Sequence, residues 1–159
     1  MSEIAAPELY ERDFYSWTQE QSQALRRAAD ERVNAPAGVD WANLATEVWE
    51  LGLSLELQLY NRYVVLLQHL LKWRYQHRLS GPSWRGTINE QRRRISRLLK
   101  KNPGLKPKRR TEFDDAYADA RSAASDETGI APGQFPEVCP FTLEEAEDLN
   151  FLPDPEPNA

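Results

Sequence analysis

Apolar residues recur at helical intervals along most of the chain. After Asp13, the positions Trp17, Gln21, Leu25 and Ala28 share one side of a helix. Asp40 is suited to cap the next helix, because its carboxylate can accept a bond from a free first-turn amide. Trp41, Leu44, Ala45 and Val48 then fall on one face. The run Leu51 to Leu59 alternates apolar and polar residues as a half-buried strand would. Leu51, Leu55 and Leu59 also satisfy a helix, the run has no β-branched residue, and leucine is a good helix former, so a helix is predicted. From Leu59 to Gln76 apolar residues surround nearly the whole circumference, the pattern of a central bundle helix.

Past Pro82, with Ser83 as the expected cap, Trp84, Ile88, Ile95, Leu98 and Leu99 fall within about 100° of arc. Gln91 lies inside that stripe and the other sectors are basic. A further helix is expected over about 109–127, with Phe113, Ala116, Tyr117, Ala120 and Ala124 inward. Thr142-Leu143-Glu144-Glu145 is a capping box, in which the hydroxyl and the second carboxylate satisfy each other's backbone amides. These elements predict an all-α fold: a compact bundle of five or six helices around a central apolar helix at about 54–78. Residues 8–152 are expected to form one domain, between a tail at 1–7 and a disordered tail at 153–159. Turn signals fall at Ala35 to Gly38, Ser80 to Pro82, Asn102 to Gly104 and Gly129 to Pro140.

The 159 residues suffice to bury roughly two-thirds of the unfolded chain's surface without a metal or disulfide. Cys139 is the lone cysteine, which suits a reducing cytoplasm. The N-terminus has neither the basic segment nor the apolar run of a secretion signal. The longest apolar run, Tyr63 to Leu67, falls far short of the roughly 20 residues of a membrane helix. A cytoplasmic protein outside the membrane is expected.

Charge changes the picture more. The net charge of −5 hides fourteen basic residues between Lys72 and Arg110 against Glu90 alone. The flanks are acidic, with one basic and thirteen acidic residues after position 110. Such segregation marks either an anionic partner or segments that neutralise one another on folding. Glu112, Asp114, Asp115 and Asp119 return acid to the neighbourhood, and the pI of about 5.2 is unlike that of typical nucleic-acid binders. Internal neutralisation is therefore the first expectation. Whatever stays free is a candidate anion-binding face: Arg85, Arg92, Arg93, Arg94, Arg97, Lys100 and Lys101, facing an anionic protein or a nucleic acid.

Several strings together carry a resemblance: Asp13-Phe14-Tyr15-Ser16-Trp17-Thr18, Asp40-Trp41-Ala42-Asn43-Leu44-Ala45, His69-Leu70-Leu71-Lys72-Trp73, Ser83-Trp84-Arg85 with Gln91-Arg92, and Cys139-Pro140-Phe141-Thr142. Over roughly residues 8–153 the chain resembles the domain-of-unknown-function 29 family of bacterial proteins. The resemblance implies a small all-helical domain with no established activity, cofactor or catalytic residues. After Gly52 members of that family usually carry charged residues, whereas this chain has Leu53, Leu55 and Leu57. That extra apolar area is a candidate surface for homo-oligomers.

Catalytic signatures are missing: no zinc helix of the His-Glu-x-x-His type, no phosphate loop, no Gly-x-Ser-x-Gly elbow. Residues 66 and 74 are Leu and Arg, so no Glu-x-x-His pair precedes either histidine. His69 and His77 are about 80° and roughly 12 Å apart on a helix, too far to share a metal. No metal site or cofactor is expected. Arg62, His69 and Gln76 recur every seven residues and line a polar seam with Lys72 and Trp73. Glu47 could join it if the second helix packs beside the central one. Cys139 lacks the electropositive setting of a reactive thiolate and reads as structural. The leading functional expectation is a non-catalytic binding or regulatory module with a basic face at 85–110. The alternatives are a small-molecule-binding protein or enzyme using the seam, and a self-assembling structural protein.

Overall fold

A computed structural model describes residues 6–31 and 36–159. The turn signal at Ala35 and most of the expected N-terminal tail lie outside the described residues. Those described contain six α-helices and no strand. They are α1 (Ala6–Arg12), α2 (Phe14–Glu31), α3 (Trp41–Tyr75), α4 (Pro82–Lys101), α5 (Arg109–Thr128) and α6 (Leu143–Glu147). The all-α expectation holds. Among the described residues no helix is long and apolar enough to cross a membrane.

The expected second and central helices are one. Asp40 caps α3, with the Asn43 N–H donating to Oδ1 at 3.1 Å, and the helix then runs 35 residues to Tyr75. The helix expected over 54–78 is therefore its second half, and His77–Leu79 forms a separate 3₁₀ turn. Pro82 opens α4, a position where its missing N–H costs nothing. Ser83, the expected cap, is thus already inside the helix.

The backbone divides into two units. The first holds residues 1–57 and 99–107. There α1, unforeseen in the sequence, is fixed by an Arg12–Glu8 pair and by Tyr10 edge-on to Phe14 and Trp17. Asp13 caps α2 through the Ser16 N–H and hydroxyl, and its Oδ2 also accepts the Gly104 N–H at 2.7 Å. A Cβ at Gly104 would collide with the Ser16 hydroxyl. A Cβ at Gly52 would meet the Thr18 hydroxyl at 2.5 Å, so glycine is what lets α2 approach α3 there. The Tyr15 hydroxyl donates to Glu56. The alternation is thereby broken up: Gly52 and Leu59 are buried and Leu55 and Glu56 half-buried, while Leu51, Leu53 and Leu57 are 48, 40 and 57% exposed.

The second unit holds residues 58–98 and 108–159. Leu59, Tyr63, Leu66, Leu67, Leu70 and Leu71 of α3 are fully buried. With them lie Ile88 and Ile95 of α4 and Phe113, Ala116, Ala120 and Ala124 of α5. Tyr63 meets Phe113 edge-on at 5.5 Å. Left-handed Gly129 ends α5 by donating its N–H to the Ser125 carbonyl. At α6 the capping box is complete, with the Glu145 N–H on the Thr142 hydroxyl and the Thr142 N–H on the Glu145 carboxylate. Within the final segment, the Glu156 N–H bonds the Arg74 carbonyl and its carboxylate accepts from the Arg74 guanidinium.

Candidate functional site

The polar seam belongs to the second unit, and its members mostly bond to the fold. Lys72 is only 6% exposed. Its Nζ lies 2.5 Å from Glu127 Oε2 and 4.5 Å from the centre of the Trp84 ring, an ion pair joined to a cation–π contact. The hydrogen bond from Lys72 is the main reason the Glu127 carboxyl titrates below its ordinary range. The Gln76 amide donates to the Thr128 carbonyl at 3.3 Å. Arg62 reaches Gln91 at 3.5 Å. His69 Nδ1 lies 2.8 Å from the Val65 carbonyl, which assigns the ring proton to that nitrogen. Burial, helped by the charge of Lys72, holds the His69 pKa below its usual value. Trp73 meets the His77 ring edge-on.

Glu47 does not fit the arrangement expected of it. Pairing with Arg62, His69 or Lys72 required two helices side by side. Positions 47 and 62 share α3 instead, about four turns apart.

The basic stretch is neutralised at its ends. Lys72 pairs with Glu127, Arg74 with Glu156, Arg110 with Glu144 at 3.5 Å, and Arg109 with Glu147. Glu147 also accepts from the buried Tyr63 hydroxyl, whose pKa burial pushes up. Along α4 the picture differs. Arg94 pairs only with Glu90, one turn away on the same helix. Arg85, Arg93 and Arg97 are exposed and have no ion-pair or hydrogen-bond partner among the described residues. Lys100 and Lys101, in the first unit, are also exposed.

Arg92 leaves the expected face altogether. It is 3% exposed, donates from Nε to the Ala146 carbonyl at 2.7 Å, and reaches the Glu145 carbonyl from Nη2. It thus satisfies the open Ala146 carbonyl in the last turn of α6 and shares the Glu145 carbonyl with the Asp148 N–H. Helix phase offered the clue, since position 92 lies only about 20° from Leu99 at the edge of the buried stripe. Cys139 is half-buried, and burial pushes its thiol up to about 11, an inert setting. Among the described residues no group of three or more His, Cys, Asp or Glu side chains is placed to hold a metal ion.

With these side chains placed, the comparisons with known proteins decide the relationship. A family model, Domain of unknown function DUF29, matches residues 9–152. The chain belongs to the DUF29 family. An alpha-helical protein of unknown function from Rhodospirillum rubrum has a similar solved structure, at 20% identity and a TM-score of 0.66 over 94% of this chain and 93% of that one. At that identity the likeness shows the fold alone. No curated protein matches the chain.

In this DUF29 chain the sequence reading missed the partners rather than the polar residues. Glu127 and Trp84 complete the Lys72 contact, and nothing local announces which acid a lysine will meet. Asp115, Asp119 and Asp126 occupy the exposed side of α5, opposite its buried alanines. Their spacing of four and seven residues was a legible signal.

Proposed function

We propose that this DUF29 domain is a non-catalytic binding or regulatory module that docks an anionic partner on the exposed face of α4. One observation carries the reading: Arg85, Arg93 and Arg97 stand in solvent with no ion-pair partner among the described residues, although acids neutralise Lys72, Arg74, Arg109 and Arg110. Three exposed guanidiniums on one helix hold a positive potential that attracts carboxylates or phosphates. Lys100 and Lys101 extend the candidate residues along the same helix. An acidic protein fits better than nucleic acid, since the pI is about 5.2 and acids are plentiful.

The bonds made by Lys72, His69 and Gln76 support reading the seam as internal structure rather than as a ligand or catalytic site. Self-assembly through Leu53, Leu55 and Leu57 gains little support, because on a helix Leu55 lies about 160° from Leu53. The unbroken family match over 9–152 supports one functional domain at 8–152. A reducing cytoplasm suits the single half-buried Cys139.

Titration with acidic peptides, duplex DNA and RNA at about 20 mM and 300 mM salt tests the reading, because screening is weak at the first concentration and strong at the second. Salt-sensitive binding that is lost in Arg93→Glu/Arg97→Glu is expected. No binding to any of the three at low salt sinks it.

A further inference from the structure

Two helix faces of the second unit are charged, exposed and complementary. That unit carries thirteen basic and fourteen acidic side chains, so it is nearly neutral while its charges are sorted. On α4 the unpaired cations are Arg85, Arg93 and Arg97. On α5 the exposed acids Asp115, Asp119 and Asp126 share one face within about 40° of arc, with exposed Asp114 and Glu127 to either side of it. Asp115 and Asp126 have no hydrogen-bond or ion-pair partner among the described residues, and Asp119 accepts only the Tyr60 hydroxyl at 2.5 Å. Ala118 and Ser122 are the exposed residues beside them, small enough to let another helix come close.

The spacings match as well as the signs. Along α4, Arg85, Arg93 and Arg97 lie at about 0, 12 and 18 Å. Running α5 in the opposite direction, Asp126, Asp119 and Asp115 lie at about 0, 10.5 and 16.5 Å. Two antiparallel helices can therefore align Arg85 with Asp126, Arg93 with Asp119 and Arg97 with Asp115. Along the axis each mismatch is at most about 1.5 Å; around it the arginines span about 120° against about 40° for the aspartates, a spread that the long arginine side chains bridge.

We infer that the anionic partner of the α4 face is a second copy of this chain, presenting the acidic face of its α5. This rests on the docking function proposed above and names its partner. Exposed ion pairs are individually weak and screened by salt, so the association is weak and strongly salt-dependent. Every copy offers both faces, and a closed pair would make the contact twice.

Charge reversal tests it. Sedimentation analysis at about 10 mM salt, where screening extends over about 30 Å, is expected to give a mass above the 18.3 kDa of one chain, falling to that value at about 1 M salt. Arg85→Glu/Arg97→Glu and Asp115→Lys/Asp126→Lys each place like charges across the contact and should be monomeric. An equimolar mixture of the two should associate again, since every pair is then opposite in sign. Neutral Gln and Asn variants at the same positions give the weakening without reversal. A wild-type monomer at low salt and high concentration overturns the inference, as do variants that still associate alone or a mixture that stays monomeric. An acidic peptide bound by a chain that never self-associates keeps the docking function and removes only this partner.

Discussion

Arg92 Nε and the Ala146 carbonyl are 2.7 Å apart inside the second unit, so a residue of the most basic helix is spent on ending α6. Removing the guanidinium leaves the buried Ala146 carbonyl without a donor. Arg92→Ala should cost about 2–3 kcal/mol, since the bonds are charge-assisted and buried. That corresponds to a fall in Tm of roughly 5–10 °C for a chain of this size. Arg93→Ala, at an exposed position without a partner, should change stability by less than about 0.5 kcal/mol. Thermal unfolding of both variants checks the contrast.

The Lys72–Glu127 pair makes stability depend on acid. The Glu127 carboxyl titrates below its unfolded value, so the contribution is present above that value and lost as pH falls through the folded one. Lys72→Met removes the cause while keeping the packing against Trp84. Urea unfolding from about pH 6 to pH 3 should therefore fall less steeply for the variant than for the wild type. Parallel curves would contradict this.

His69 acts in the same direction over a higher range. Burial depresses its pKa, so the unfolded chain binds a proton more readily. Its contribution is complete above about pH 6.5 and declines as pH falls below that value. His69→Gln should abolish the part of the pH dependence lying just below 6.5. Ring-proton NMR of the wild type should show His69 titrating below that value.

Gly52 and Gly86 should answer alanine oppositely, although both sit inside helices. A Cβ at Gly52 meets the buried Thr18 hydroxyl at 2.5 Å, and Gly52→Ala should destabilise by about 1–3 kcal/mol. Nothing lies within 4 Å of a Cβ at Gly86, so Gly86→Ala should stabilise α4 by about 0.5–1 kcal/mol. Denaturant midpoints measure both.

Much of the fold was legible because helix formation and burial follow a local period. The Trp84 to Leu99 stripe, the Asp40 cap, the Thr142 capping box and the apolar girth of residues 59–76 are all properties of neighbouring positions. The continuity of α3 was not legible, because residues 51–59 satisfy strand and helix periods together. Only the approach of Thr18 to Gly52 and of Tyr15 to Glu56 decides which side of that run turns inward.

Charge divides in the same way. The sequence alone determined that fourteen cations crowd one stretch between acidic flanks, since composition along a chain needs no fold to count. Which cations meet an acid was left to tertiary structure. Lys72 and Arg109 found Glu127 and Glu147, dozens of residues away; Arg92 was drawn inside by the open Ala146 carbonyl; Arg85, Arg93 and Arg97 stayed in water. Coulomb energy depends on distance and burial, and neither exists until the chain has folded.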